Sequence, residues 1–158
     1  METLREDRQI EVLEEAECLR LLAAASIGRV AFTEGALPAV QPVSFLLIDD
    51  EVFVPTHHGS TVATASRGAV VAFAADDVDA RSRTGWNVTV IGPSRLVVDE
   101  TEVRRLDRAG VQPWTPGRDR CYVGIAVRLV QGRRISRVGT VDGVPATPDA
   151  RTSTALHA

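Results

Sequence analysis

The chain contains no lysine: all 18 of its cationic side chains are arginine. Lysine Schiff-base chemistry is therefore excluded, and so is any site that sets an ammonium point charge against phosphate. Cysteine is scarce too. Cys18 and Cys121 lie far apart without C-x-x-C spacing, which predicts two reduced core residues rather than a bridge. No apolar run approaches the length of a membrane span. The acidic opening METLREDRQIEVLEE lacks the apolar segment of a secretion signal, so a cytoplasmic protein with no membrane partner is expected. A formal net charge of −3 gives no general attraction for nucleic acid. Also missing are G-x-G-x-x-G after a first strand, G-x-x-x-x-G-K-[ST], G-x-S-x-G and H-E-x-x-H. The usual signatures of Rossmann, P-loop, serine-hydrolase and zincin chemistry go with them.

What is present reads as one domain. With 158 residues, 44% of them apolar, the chain can bury a core without staples. Ile10, Val12, Leu13, Ala16, Leu19, Leu22 and Ala23 share one face of a predicted N-terminal helix over about 10–25. From Gly28 the period changes to two, through Val30, Phe32, Val40, Val43, Phe45, Leu47, Val52 and Val54. Six strands are expected, over 29–33, 39–48, 51–56, 69–75, 85–99 and 121–130. The fourth is apolar enough for burial on both faces. Asp49-Asp50 predicts a tight hairpin, Gly92-Pro93 a bulge or barrel corner, and 76–84 an acidic surface loop. Short helices are predicted over 60–67, closed by Gly68, and over 100–109. Antiparallel strands without βαβ alternation predict a mainly β fold, a six-stranded split barrel with two or three flanking helices. The barrel domain is read over 1–137, and residues 138–158, rich in Gly, Pro, Thr and Ala without periodicity, as a flexible tail.

Strand 51–56 leads into His57-His58-Gly59-Ser60-Thr61. Strand-delivered hydroxyls and a glycine at a helix start supply anion-binding N–H groups, although Ser60 or Thr61 could simply cap the helix. Adjacent histidines at a strand end point to opposite sides and cannot chelate one ion, so no metal site is expected. One of them could face a ligand. With aromatic residues at 4%, Trp86 and Trp114 stand out, Trp86 as packing and Trp114 as an indole presented from a Pro/Gly/Arg loop. Arg133-Arg134 could pair with phosphate or defend an exposed strand edge.

The order Gly28-Arg29-Val30-Ala31-Phe32, Pro42-Val43-Ser44-Phe45, Thr56…Gly59-Ser60, Val71-Ala72-Phe73, Gly85-Trp86-Asn87-Val88 and Gly132-Arg133-Arg134-Ile135 resembles the pyridoxamine 5′-phosphate oxidase-like, flavin-binding split-barrel family. The resemblance implies a homodimer with FMN, or a deazaflavin coenzyme, at the subunit interface, acting on a small molecule. Pro42, Val43, Ser44 and Phe45 would then lie along the ring system through backbone atoms. Pro55, Thr56, Gly59, Ser60 and Thr61 would meet the phosphate. Trp86 and Asn87 would approach from the adjacent strand and Trp114 from the partner. Thr61 stands where the family commonly has lysine. The lost charge-assisted bond is worth ~1.5–3 kcal/mol, roughly ten- to a hundredfold in affinity, unless Arg67 or Arg133 compensates. The Arg133-Arg134-Arg137 run would suit the acidic tail of a deazaflavin. The resemblance also leaves open a non-catalytic or degenerate barrel.

Overall fold

The computed structural model describes residues 7–138; the predicted tail 138–158 lies, beyond Val138, outside them. Nine antiparallel strands and three helices follow one another as β1 (Arg8–Val12), α1 (Glu15–Ala24), β2 (Ile27–Glu34), β3 (Leu37–Ser44), β4 (Leu46–Ile48), β5 (Glu51–His57), α2 (Thr61–Ser66), β6 (Val70–Asp79), β7 (Thr84–Val97), α3 (Glu100–Asp107), β8 (Arg120–Ala126) and β9 (Leu129–Arg137). The split-barrel class stands, with nine strands where six were expected. Two predicted strands are each two: 39–48 breaks at Phe45 into β3 and β4, and 121–130 breaks after Ala126 into β8 and β9.

The ninth strand corrects the N-terminal helix. Residues 8–12 pair with β9, from Arg8↔Arg137 to Val12↔Arg133, and the helix starts only at Glu15. Ile10 and Val12 fit a strand as well as a helix face, and the open edge of β9 decides between them. Both stay exposed, while Cys18, Leu21 and Leu22 form the buried stripe of α1.

Strand β7 holds the barrel together. Its first part pairs with β6 on one side (Thr84↔Asp79 to Pro93↔Val70) and with β9 on the other (Gly85↔Ile135 to Ile91↔Leu129). Beyond Pro93 it changes partner, and Ser94–Val97 pairs with β8. Pro93 has no N–H to leave unpaired at the corner. A Cβ on Gly92 would overlap the carbonyl oxygen of Ala126, so only glycine lets β8 pass this close. The Ser94 hydroxyl donates to the carbonyls of Ser66 and Ala69, tying the corner to the end of α2. On the far side the chain running through Phe45 joins the edge of the first sheet to β4, which pairs with β5.

The barrel is filled by Val30, Phe32, Val43, Phe45, Phe73, Val90 and their neighbours, with the Phe45 and Phe73 rings 4.6 Å apart at 59°. A smaller cluster of Phe53, Val97, Leu106 and Tyr122 lies under α3. Strand β5 is therefore buried on both faces, Val52 and Val54 toward the barrel and Phe53 toward α3. The strand expected to be doubly buried, β6, instead alternates, with Val71, Phe73 and Ala75 inside and Val70 exposed. Nor is 76–84 a loop. β6 runs on to Asp79 and turns at 80–83, because β7 offers partners that far. The Asp49-Asp50 hairpin forms with both residues at positive φ, 49° and 57°. Cys18 and Cys121 are buried and unbridged. Among the described residues no helix is long and apolar enough to cross a membrane.

Because the β7 corner depends on close backbone approach, Gly92→Ala should destabilise the fold by about 1–3 kcal/mol. Thermal unfolding measures it; an unchanged midpoint would show that the corner relaxes freely.

Candidate functional site

The junction between β5 and α2 settles which hydroxyls are available. The buried Thr56 hydroxyl lies 2.8 Å from Ser60 Oγ, and Ser60 Oγ accepts the backbone N–H of Ala63 at 3.1 Å. Ser60 is thus the N-cap and Thr56 its support. Gly59 takes φ +77°, and a Cβ there would meet nothing within 4 Å, so its backbone faces open space. Thr61 is the hydroxyl left over. With Thr33, Glu34, Gly59 and Thr64 it lines a cavity of about 330 Å³. Among the described residues no cation lines that cavity. Arg67 lines an adjoining one of about 190 Å³ that shares Gly59 and Thr64.

The two histidines diverge, His57 half-buried at the end of β5 and His58 exposed in the turn beyond it. His57 Nε2 donates to the Thr115 carbonyl at 3.2 Å, its ring lies against Gly117, and its Nδ1 is buried without a hydrogen-bond partner. His58 points out, its N–H donating to the Asp119 carbonyl at 3.1 Å. His57 therefore anchors the loop that carries the exposed Trp114. The same loop is knotted at its ends: Tyr122 Oη and Arg120 both donate to Asp107 Oδ1, at 2.6 and 3.0 Å, and Arg120 also donates to Gln112. Burial pushes the Asp107 carboxyl up, but the bonds from Tyr122 and Arg120 outweigh it and hold it below its ordinary range.

The remaining predicted residues separate. Pro42 is exposed and Ser44 half-buried on β3, while Val43 and Phe45 turn into the core. Among the described residues no strand pairs with the second edge of β3, so backbone atoms there are open to a ligand. Pro55 is buried beside Thr56 on β5. Trp86 and Asn87 line a different cavity, of about 510 Å³, which shares no residue with the one at Thr61. The single chain thus gathers Thr56, Gly59, Ser60 and Thr61 but leaves Trp86, Asn87 and Trp114 apart.

The sequence reading missed two things. Arg133 belongs with Asn87, its register partner, and not with Thr61. Arg83 joins the same cavity because the β6–β7 hairpin is longer than its acidic composition suggested; continuing alternation through Asp77, Val78 and Asp79 was the available signal. The arginine run divides as well. Arg134 is committed to Glu17 at 2.6 Å and Glu11 at 3.6 Å.

A family model described as pyridoxamine 5′-phosphate oxidase matches residues 14–143. The chain belongs to the pyridoxamine 5′-phosphate oxidase-like family. The uncharacterized protein Rv0080 of Mycobacterium tuberculosis is 41% identical over 133 residues, covering 81% of this chain and 87% of its own length. Among solved structures, an FAD binding protein from Mycobacterium smegmatis matches with TM-score 0.65 at 28% identity, over 80% of this chain and 97% of that one. DIP1874 from Corynebacterium diphtheriae, a conserved protein of unknown function, matches with TM-score 0.67 at 28% identity, over 80% and 98%.

A flavin's phosphate calls for hydrogen-bond donors. Here the Thr33, Thr61 and Thr64 hydroxyls and the open Gly59 backbone fit a phosphate, and Arg67 lines the adjoining cavity.

The Glu17 carboxylate, bonded by Arg20 and then by Arg134, is held down from 4.5 to about 2. A depressed carboxyl contributes stability that is complete above its unfolded pKa and is lost as pH falls through the folded one. The gap in thermal midpoint between wild type and Glu17→Gln should therefore close between 4.5 and about 2. A gap that is constant down to the lower limit would show that the pair contributes nothing.

Proposed function

We propose that this chain is a flavin-binding oxidoreductase acting on a small molecule, with FMN, or the larger FAD, held at the interface of a homodimer. The observation that carries the reading is the hydroxyl-lined Thr61 cavity beside the Arg67 cavity, in a family member whose 28%-identical structural neighbour is an FAD binding protein. When bound, the flavin would supply the electron transfer, and the protein binding and orientation. Thr61, Gly59 and Arg67 would hold phosphate, the Pro42–Phe45 edge would meet the rings, and the His57-anchored loop would bring Trp114 over a neighbour. The distribution of charge supports a flavin over a deazaflavin, since Glu11 and Glu17 neutralise Arg134.

The homodimer is supported by the outer face of the sheet. Val40, Ala31, Ala72, Ile91 and Leu129 pair in one register row across β3, β2, β6, β7 and β9. Val40, Ile91 and Leu129 are 62%, 37% and 48% exposed, so the row is an apolar stripe in contact with water. A second copy seated on it by two-fold symmetry would also meet the free edge of β3. Leu129→Asp should then convert a dimer, measured by light scattering, to monomers. A wild-type chain that is monomeric at every concentration would overturn the dimer.

A non-catalytic barrel remains the second reading because Glu34 shares the cavity of Thr61 and no cation among the described residues lines it. Absorbance of the purified protein and titration with FMN, FAD and a deazaflavin separate the two. Uptake of a flavin is expected, and Thr61→Lys should tighten it by roughly ten- to a hundredfold. No uptake by either protein would leave the non-catalytic reading standing.

A further inference from the structure

The largest cavity described above, about 510 Å³, lies on the sheet's outer face beside the β6–β7 hairpin and is of a size to hold a small molecule. Its apolar part comes from Val78 and the register partners Ile10 and Ile135; Trp86, which borders it, holds a core-facing position of β7 opposite Arg134 and packs on the barrel core. Four charged side chains also line it, Asp76, Asp79, Arg83 and Arg133. The two acids are already engaged. Asp76 pairs with Arg29 at 3.6 Å. Asp79 Oδ1 accepts the N–H groups of Ser82 and Arg81 at 3.1 and 2.8 Å, which hold its carboxyl below the ordinary range, with Arg137 adding to the effect. Arg83 and Arg133 have no ion pair among the described residues. Asn87, opposite Arg133 in register, adds an uncharged amide.

Two guanidiniums without an ion pair over an apolar surface define a ligand chemistry. Arginine's planar fork matches a carboxylate, and its flat face together with Ile10, Val78 and Ile135 accepts a ring. We propose that this cavity binds a flat organic anion, an aromatic carboxylate in the simplest case, with its charge on Arg83 and Arg133 and its ring against Ile10, Val78 and Ile135. Calling that anion the substrate rests on the flavin reading, in which Trp86 and Asn87 border the cofactor; the binding itself does not.

The test is calorimetric titration of the full chain with 2-naphthoate and with neutral 2-naphthamide. Naphthoate should bind at least tenfold more tightly. Arg83→Gln and Arg133→Gln should each remove about that factor for naphthoate and leave naphthamide unchanged, and Arg133→Lys should recover part of it. Arg104→Ala, on the exposed face of α3, should have no effect. Equal binding of the two probes, no naphthoate binding up to about 1 mM, or an Arg104→Ala loss matching that of Arg133→Gln would overturn the proposal. Flavin uptake is read separately, from the absorbance of the same samples. Naphthoate binding without flavin uptake overturns the cofactor reading alone, and flavin uptake without naphthoate binding overturns this one alone.

Discussion

One strand must belong to two sheets, and the rest of the structure depends on how β7 does so. Its first part lies between β6 and β9 and its last four residues lie against β8. A regular strand cannot change partner this way without a break, and Gly92-Pro93 provides it through a missing side chain and a missing N–H. The corner brings α2 with it, because Ser94 bonds the carbonyls at the end of that helix. The Thr56–Thr61 junction is thus set at a fixed distance from the barrel wall by a residue more than thirty positions later in the chain.

Closing the barrel divides the surface into chemically different regions. Inward residues of β2, β6 and β7 fill the core, and the alternating outward ones form a face that is apolar in one row and charged at the hairpin end. The two cavities share no residue. Among the described residues no cation lines the hydroxyl-lined one, while Arg83 and Arg133 line the other.

An all-arginine chain makes these commitments rigid. Arg95 bridges Glu51 and Glu102 while lying over Phe53, Arg120 ties α3 to β8, and Arg134 fastens α1 and β1 to β9. Each of these guanidiniums uses its fork to hold elements together. Arg83 and Arg133, by contrast, line a cavity and have no ion pair among the described residues.

The sequence by itself determined the class of fold and several of its turns. Period-two apolar residues, Asp49-Asp50 and Gly68 act through local sterics, which do not depend on what packs above them. It also placed the hydroxyl cluster, since a strand, a glycine and a capping serine are neighbours in the chain. Only the tertiary structure decided the rest. Residues 8–12 became a strand because β9 had an open edge, and 76–79 stayed in the sheet because β7 ran alongside. Thr56 and Ser60 were spent on a cap and Thr61 was left free. Arg133 was delivered to Asn87 by a register set over forty residues away. Pairing across such separations is fixed by burial of the whole sheet, and no local window of sequence contains that information.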